Sequence, residues 1–187
     1  MRSGLIKKPK DAVTMDADNI KGMLPEYREM IKKKDESAAG YAHEESSALV
    51  KRIQSIALEL RYNALLDGTG DGSPGSLSKK INQGKNNGYK VVGEYVTIPT
   101  ELALERASAR AEKTGRKINR KTIIDIHKKV SQRAIEFAKD FDEIRLYENI
   151  DKPTLIATGG NGKSLKPIKG FDENLKDFIK KGGAEYE

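Results

Sequence analysis

The sequence predicts an α/β fold: a three-layer domain with a mostly parallel sheet and helices on both of its faces. Two observations carry that prediction. Short apolar or β-branched runs alternate along the chain with longer segments whose apolar residues recur at spacings of three and four. Helix start and stop residues, such as Pro99-Thr100 and Gly115, punctuate these segments. A strand–helix–strand alternation covers both faces of a sheet with crossover helices, which is the parallel solution.

The elements follow in order. Residues 13–17 form a short buried strand. Residues 39–61 read as one helix, because Leu49, Val50, Ile53, Ile56, Ala57 and Leu60 fall on one stripe. Ala64-Leu65-Leu66 is the next apolar run, ending at Asp67-Gly68-Thr69, and Gly70-Asp71-Gly72-Ser73-Pro74-Gly75 is a loop by composition. A modest helix carrying Leu77 and Ile81 ends at Asn86-Asn87-Gly88. Residues from Tyr89 to Ile98 are rich in β-branched and aromatic types and form a strand. Pro99-Thr100-Glu101 opens a helix with Thr100 as its cap, running to Thr114 and stopping at Gly115. A further helix spans about Arg120 to Lys139. Ile144 to Glu148 and Thr154 to Ala157 are two strands joined by a turn, and a last helix near Glu173–Lys181 precedes a Gly-Gly pair. No repeat and no linker interrupts the pattern, so one domain is expected over residues 1–187.

Composition narrows the function classes. The chain is 36% apolar and 34% charged, with a mean hydropathy of −0.68, which describes a folded domain with a highly charged surface. No apolar stretch approaches a membrane span, and the first residues carry no signal-peptide core, so a cytoplasmic location is expected. The absence of cysteine excludes disulfides, thiolate metal sites and cysteine nucleophiles. The net charge of +7 suits nucleic acid or phosphorylated small molecules. Aromatics are only 6% and form no spaced set for stacking bases, which disfavours nucleic acid. His43 and His127 lack partners at metal spacing and are expected on helix surfaces; Lys32-Lys33-Lys34 is expected to be a solvated face.

The chemistry concentrates at the ends of the predicted strands. Asp16 and Asp18 close the first strand, and residues two apart on an extended chain point to the same side. At the carboxyl edge of an open α/β sheet, where ligands bind, such carboxylates take a proton from a hydroxyl or hold magnesium. The alternative is that Asp16 or Asp18 caps a turn or helix. Asp67-Gly68-Thr69 closes the second strand, and the helix after the third places Arg106 and Arg110 one turn apart, with Arg116, Lys117 and Arg120 beyond Gly115. Carboxylates facing arginines make a phosphoryl-transfer site: the carboxylate positions a hydroxyl while planar guanidinium groups neutralise the migrating phosphoryl group.

The run Met15-Asp16-Ala17-Asp18-Asn19-Ile20-Lys21 followed by Leu24-Pro25-Glu26-Tyr27 resembles the zeta toxins and their chromosomal and phage relatives. His43-Glu44-Glu45-Ser46, the strand Asn63 to Thr69, Gly88-Tyr89, Val96-Thr97-Ile98-Pro99 and the segment Arg106 to Arg116 follow in the family's order, and the resemblance covers about residues 11–150. It implies a P-loop-kinase-like domain that uses ATP and Mg2+; characterised members phosphorylate UDP-N-acetylglucosamine. By position it implies Asp18 as catalytic base, with Arg110 and Arg116, or Arg120 in the latter's place, on the nucleotide phosphates. Asp16, Asp67 and Thr69 would lie near the sugar nucleotide, with Glu44 and Glu45 alongside. An antitoxin protein is the implied partner.

One departure is large. Ahead of the Asp-x-Asp strand such a kinase carries Gly-x-x-x-x-Gly-Lys-[Ser/Thr], whose amides cradle phosphate. Residues 1–12 hold no such run, so the chain is expected to begin just after its ATP site and to lack the N-terminal phosphate-loop strand. Near the other end, Ala157-Thr158-Gly159-Gly160-Asn161-Gly162-Lys163-Ser164 differs from the motif only at Ala157. A phosphate loop must open a helix, and Pro167 and Gly170 forbid one here, so this segment is expected to be a turn. The expected function is an ATP-dependent sugar-nucleotide kinase, inactive in this form. The alternative is a non-catalytic remnant serving as a binding module of a phage or mobile-element system.

Overall fold

The computed structural model describes residues 9–33, 35, 37–114 and 118–185. The elements are β1 (Val13–Asp16), α1 (Ala17–Lys21), α2 (Pro25–Lys32), α3 (Ala38–Tyr41), α4 (His43–Glu59), β2 (Ala64–Asp67), α5 (Pro74–Asn86), β3 (Val92–Thr97), α6 (Thr100–Thr114), α7 (Arg120–Glu136), β4 (Glu143–Glu148), β5 (Thr154–Gly160), β6 (Lys163–Pro167) and α8 (Asp172–Gly182). The chain divides into two compact units between Gly68 and Thr69.

In the first unit β1 and β2 pair in parallel, with Val13 opposite Ala64 and Asp16 opposite Asp67. The crossover between them runs through α1 to α4. Met15, the apolar residue of β1 that points inward, is 1% exposed, and Ala12, Ala38, Ala42, Ala57 and Leu58 bury with it. The sequence pattern left α1 and α2 unread. Pro25 begins α2 at the position where proline's missing N–H costs nothing. The single helix expected over 39–61 is broken at Ala42, which is buried between α3 and α4.

The second unit holds a four-stranded sheet in the order β3-β4-β5-β6. β3 and β4 are parallel, joined by the helical crossover α6–α7, and β5 and β6 add antiparallel strands. Tyr95, Ile144, Leu146, Ile156 and Ala157 present one face of this sheet to Ile81 of α5, Ala134 of α7, Phe137 and Phe141 just beyond α7, and Leu175 and Phe178 of α8. The opposite rows carry charge: Arg145 of β4 bridges Glu94 of β3, at 2.7 Å, and Glu143. Thr100 is the first residue of α6, and Pro99 holds the cap position, its carbonyl accepting from the Ala103 amide at 3.0 Å. Gly115 lies outside the described residues. β6 was not expected: Pro167 reads against a helix and the segment reads as a turn; Pro167 stands at the end of an edge strand, where no ladder donor is needed.

The Gly-rich segment is the β5–β6 turn. The Asn161 amide donates to the Phe141 carbonyl at 2.7 Å and the Gly162 amide to that of Lys139 at 3.0 Å. Amides that a phosphate loop would aim at an anion are spent on the chain itself, and β6 follows where a helix would have to start. The glycines serve packing. A Cβ on Gly160 would lie 2.7 Å from the Cα of Glu143, and one on Gly159 would lie 2.8 Å from the Ser164 carbonyl oxygen.

An acid-sensitive contact closes the start of this sheet. Val91 donates its amide to Asp142 Oδ2 at 2.7 Å. That bond first, then Lys85 and Lys90, holds the Asp142 carboxyl below the usual carboxylate range. A carboxylate depressed in the folded state contributes stability above its unfolded pKa and loses it as pH falls through the folded value. Unfolding followed between about pH 7 and about pH 3 should show stability falling on the acid side. Asp142→Asn should flatten that limb; an unchanged slope would remove Asp142 from the linkage.

Candidate active site

The Asp-x-Asp pair is not extended. β1 ends at Asp16, and the chain turns at once into α1. Asp16 is the N-cap of that helix: its Oδ1 accepts from the amides of Asp18 at 2.8 Å and Asn19 at 3.3 Å. The capping reading of Asp16 is therefore the geometry observed, and the shared-side argument for Asp16 and Asp18 does not hold. Asp18 lies in the first turn of α1, where a carboxylate favours the helix dipole. Its side chain is 70% exposed, and Lys21 Nζ donates to its Oδ1 at 3.3 Å. Lys21 was missed, although lysine three residues after an aspartate is the spacing of a helical pair. It is 9% exposed, so its stem is packed while its ammonium reaches Asp18.

Asp67 ends β2 directly opposite Asp16, so two carboxylates meet at the carboxyl edge of the parallel pair. Glu44 and Glu45 occupy the first turn of α4, exposed. These five acids share the first unit. Asp16 is held by backbone donors, whereas Asp18 presents its carboxylate to solvent with one ammonium alongside. Asp18, Asp67, Glu44 and Glu45 are all exposed, and Asp18 is the one with an ammonium beside it.

The remaining candidates belong to the second unit. Thr69 donates its hydroxyl to Asp71. Arg110 is an exposed residue of α6. Arg106, one turn earlier, is committed to structure: it donates to the carbonyl oxygens of Asn149, at 2.9 Å, and Ile150. Arg120 begins α7 and pairs with Glu101 at 3.3 Å, both side chains exposed. Such a pair is worth little and opens readily to a phosphate. Arg116 lies outside the described residues. His43 is exposed as expected, but His127 is half-buried in α7, and burial followed by the nearby Lys181 ammonium lowers its pKa.

Among the described residues no three His, Asp or Glu side chains stand where they could hold a metal ion, and the amides of Thr69, Gly70, Asp71 and Gly72, between β2 and α5, donate to no backbone carbonyl. The fit of Mg2+ to these residues is therefore incomplete. Among the described residues, no helix is long and apolar enough to cross a membrane.

The sequence model of the zeta toxin family matches residues 3–160. Among solved structures, a chain from the PezAT chromosomal toxin–antitoxin system of Streptococcus pneumoniae aligns over 91% of this chain and 74% of its own, with a TM-score of 0.61 and 18% sequence identity. At that identity the likeness establishes a shared α/β fold. No curated protein matches the chain.

Proposed function

Because the chain belongs to the zeta toxin family, we propose that it is a toxin-type kinase domain built to pass the γ-phosphate of ATP to a hydroxyl of a sugar nucleotide such as UDP-N-acetylglucosamine. The family match carries this reading: it runs from residue 3 to residue 160, through both compact units, and includes the Asp-x-Asp segment and the arginine helices. The two units then act as one domain in a cytoplasmic protein. Asp18 takes the proton of the attacking hydroxyl. Asp16 fixes the turn that presents Asp18, and Asp67, Thr69, Glu44 and Glu45 contact the sugar nucleotide. Arg110, Arg116 and Arg120 neutralise the phosphate oxygens as charge moves to the leaving diphosphate. An antitoxin protein is the partner, in keeping with the toxin–antitoxin system of the structural neighbour.

The sequence carries no Gly-x-x-x-x-Gly-Lys-[Ser/Thr] run, and the near-match at residues 157–164 has spent the Asn161 and Gly162 amides on the chain itself. Calorimetric titration with Mg-ATP should therefore show no binding in the low-micromolar range. Heat that saturates near about 1 μM would overturn this part of the reading. Phosphate transfer to UDP-N-acetylglucosamine, followed by mass spectrometry in a form carrying a phosphate loop upstream, tests the kinase itself. Transfer to no sugar nucleotide in that form would favour the binding-module alternative.

A further inference from the structure

The loop that carries Thr69 has little structure of its own. It leads into α5, and the amides of Thr69, Gly70, Asp71 and Gly72 donate to no backbone carbonyl. Among the described residues its internal bonding is between side chains, Thr69 to Asp71. Regular bonding resumes at Ser73, which caps α5 by accepting from the Ser76 amide at 3.3 Å. A segment without ladder or turn bonds keeps one conformation only where its surroundings impose it, because ordering each residue costs entropy.

Two contacts from the core of the second unit impose it. Arg133 of α7, its side chain only 17% exposed, donates from Nε to the Gly72 carbonyl at 3.0 Å. Nη1 of the same guanidinium donates to Glu136, three residues on along α7. The guanidinium is planar, so fixing one arm on Glu136 also fixes the direction of Nε. Gly70, at a φ of +77°, lies against the Tyr95 ring: a Cβ there would stand 3.2 Å from Tyr95 Cε1. Tyr95 is 8% exposed and meets Phe141 edge-on, so the ring itself cannot yield. The loop is pinned at Gly72 by a charged donor and seated at Gly70 on the core. Arg133 is not among the arginines placed on the nucleotide phosphates, and its reach to Gly72 leaves it a different task.

We propose that Arg133 is a positioning residue for the sugar-nucleotide site: through the Gly72 carbonyl it holds the loop from Thr69 to Gly72 in the conformation that presents Thr69 to substrate. The proposal rests on the placement of Thr69 in that site. An untethered loop would hold the competent conformation only part of the time, and affinity falls by that fraction. The test compares wild type with Arg133→Met, which keeps the apolar stem and removes every donor, both as the full 187 residues. In the free protein the 15N order parameters of Gly70, Asp71 and Gly72 should fall to about 0.6 or below, while the melting temperature stays close to wild type. Titration with UDP-N-acetylglucosamine should show affinity about tenfold weaker, the scale of one hydrogen bond to a charged group. Arg133→Lys should recover part of it, since one ammonium replaces the charge but not the planar fork; it also carries both measurements if Arg133→Met does not fold. Unchanged order parameters would overturn the tether, and a loosened loop with unchanged affinity would overturn the positioning role. A wild-type chain that binds no UDP-N-acetylglucosamine would end the substrate part together with the kinase reading, and the order parameters would still decide the tether.

Discussion

Gly160→Ala is expected to destabilise the second unit by about 3 kcal/mol. Two costs add. The Gly160 φ of +102° lies where L-residues with a Cβ are strained, and the added methyl would meet Glu143 Cα at 2.7 Å and its nitrogen at 2.9 Å. Those atoms are backbone of the neighbouring strand and cannot swing aside as a side chain could. Overpacking costs typically about 1–3 kcal/mol, and an unfavourable positive φ about 1–2 kcal/mol more. Denaturant unfolding should show a lower midpoint with an unchanged slope. A Gly162→Ala control meets nothing within 4 Å and carries only the strain of its φ of +78°, so its loss should be smaller. If Gly160→Ala left the midpoint unchanged, the close approach of β5 to Glu143 would be wrong. The experiment also separates packing from phosphate chemistry, because a stability loss without nucleotide present is what a structural glycine produces.

In a form of the protein that carries a phosphate loop, Asp18→Asn is expected to reduce phosphate transfer to a sugar nucleotide by about a hundredfold or more. Asparagine keeps the shape and the contact with Lys21 but cannot take the hydroxyl proton. Asp16→Asn should be mild by comparison. Asparagine still accepts from the Asp18 and Asn19 amides and is as good an N-cap as aspartate, so α1 and the placement of Asp18 survive. Retention of activity in Asp18→Asn with loss in Asp16→Asn would reverse the assignment. Activity in both variants would end the kinase reading of this segment.

Much of the fold was legible because the signals were local. The stripe from Leu49 to Leu60, the β-branched run before Pro99 and the Asn86-Asn87-Gly88 stop all determine backbone by their own chemistry, and each element appears within a few residues of its expected place. What failed was the neighbourhood of Asp16. The run over residues 13–17 reads as a buried strand, and an aspartate able to cap is a competing signal within it; two backbone donors to Asp16 decide it in favour of a helix from Ala17. β6 was hidden because a strand at a sheet edge tolerates Pro167 and alternates polar residues that carry little pattern. The buried role of Lys21 and the bond from Arg133 to Gly72 were beyond reach, since each depends on contacts distant in sequence.

The placement of α8 also sets a timetable. A ribosome makes the chain from the amino end, and a unit completes its packing only when its last contributing residue has emerged. The first unit has all its strands by Asp67. The second cannot close its interior until Leu175 and Phe178 arrive, after every strand they cover has been made. For that interval Ile144, Leu146 and Ile156 stand without their final cover. Until α8 emerges and docks, that uncovered apolar surface is the condition in which folding intermediates are prone to aggregate.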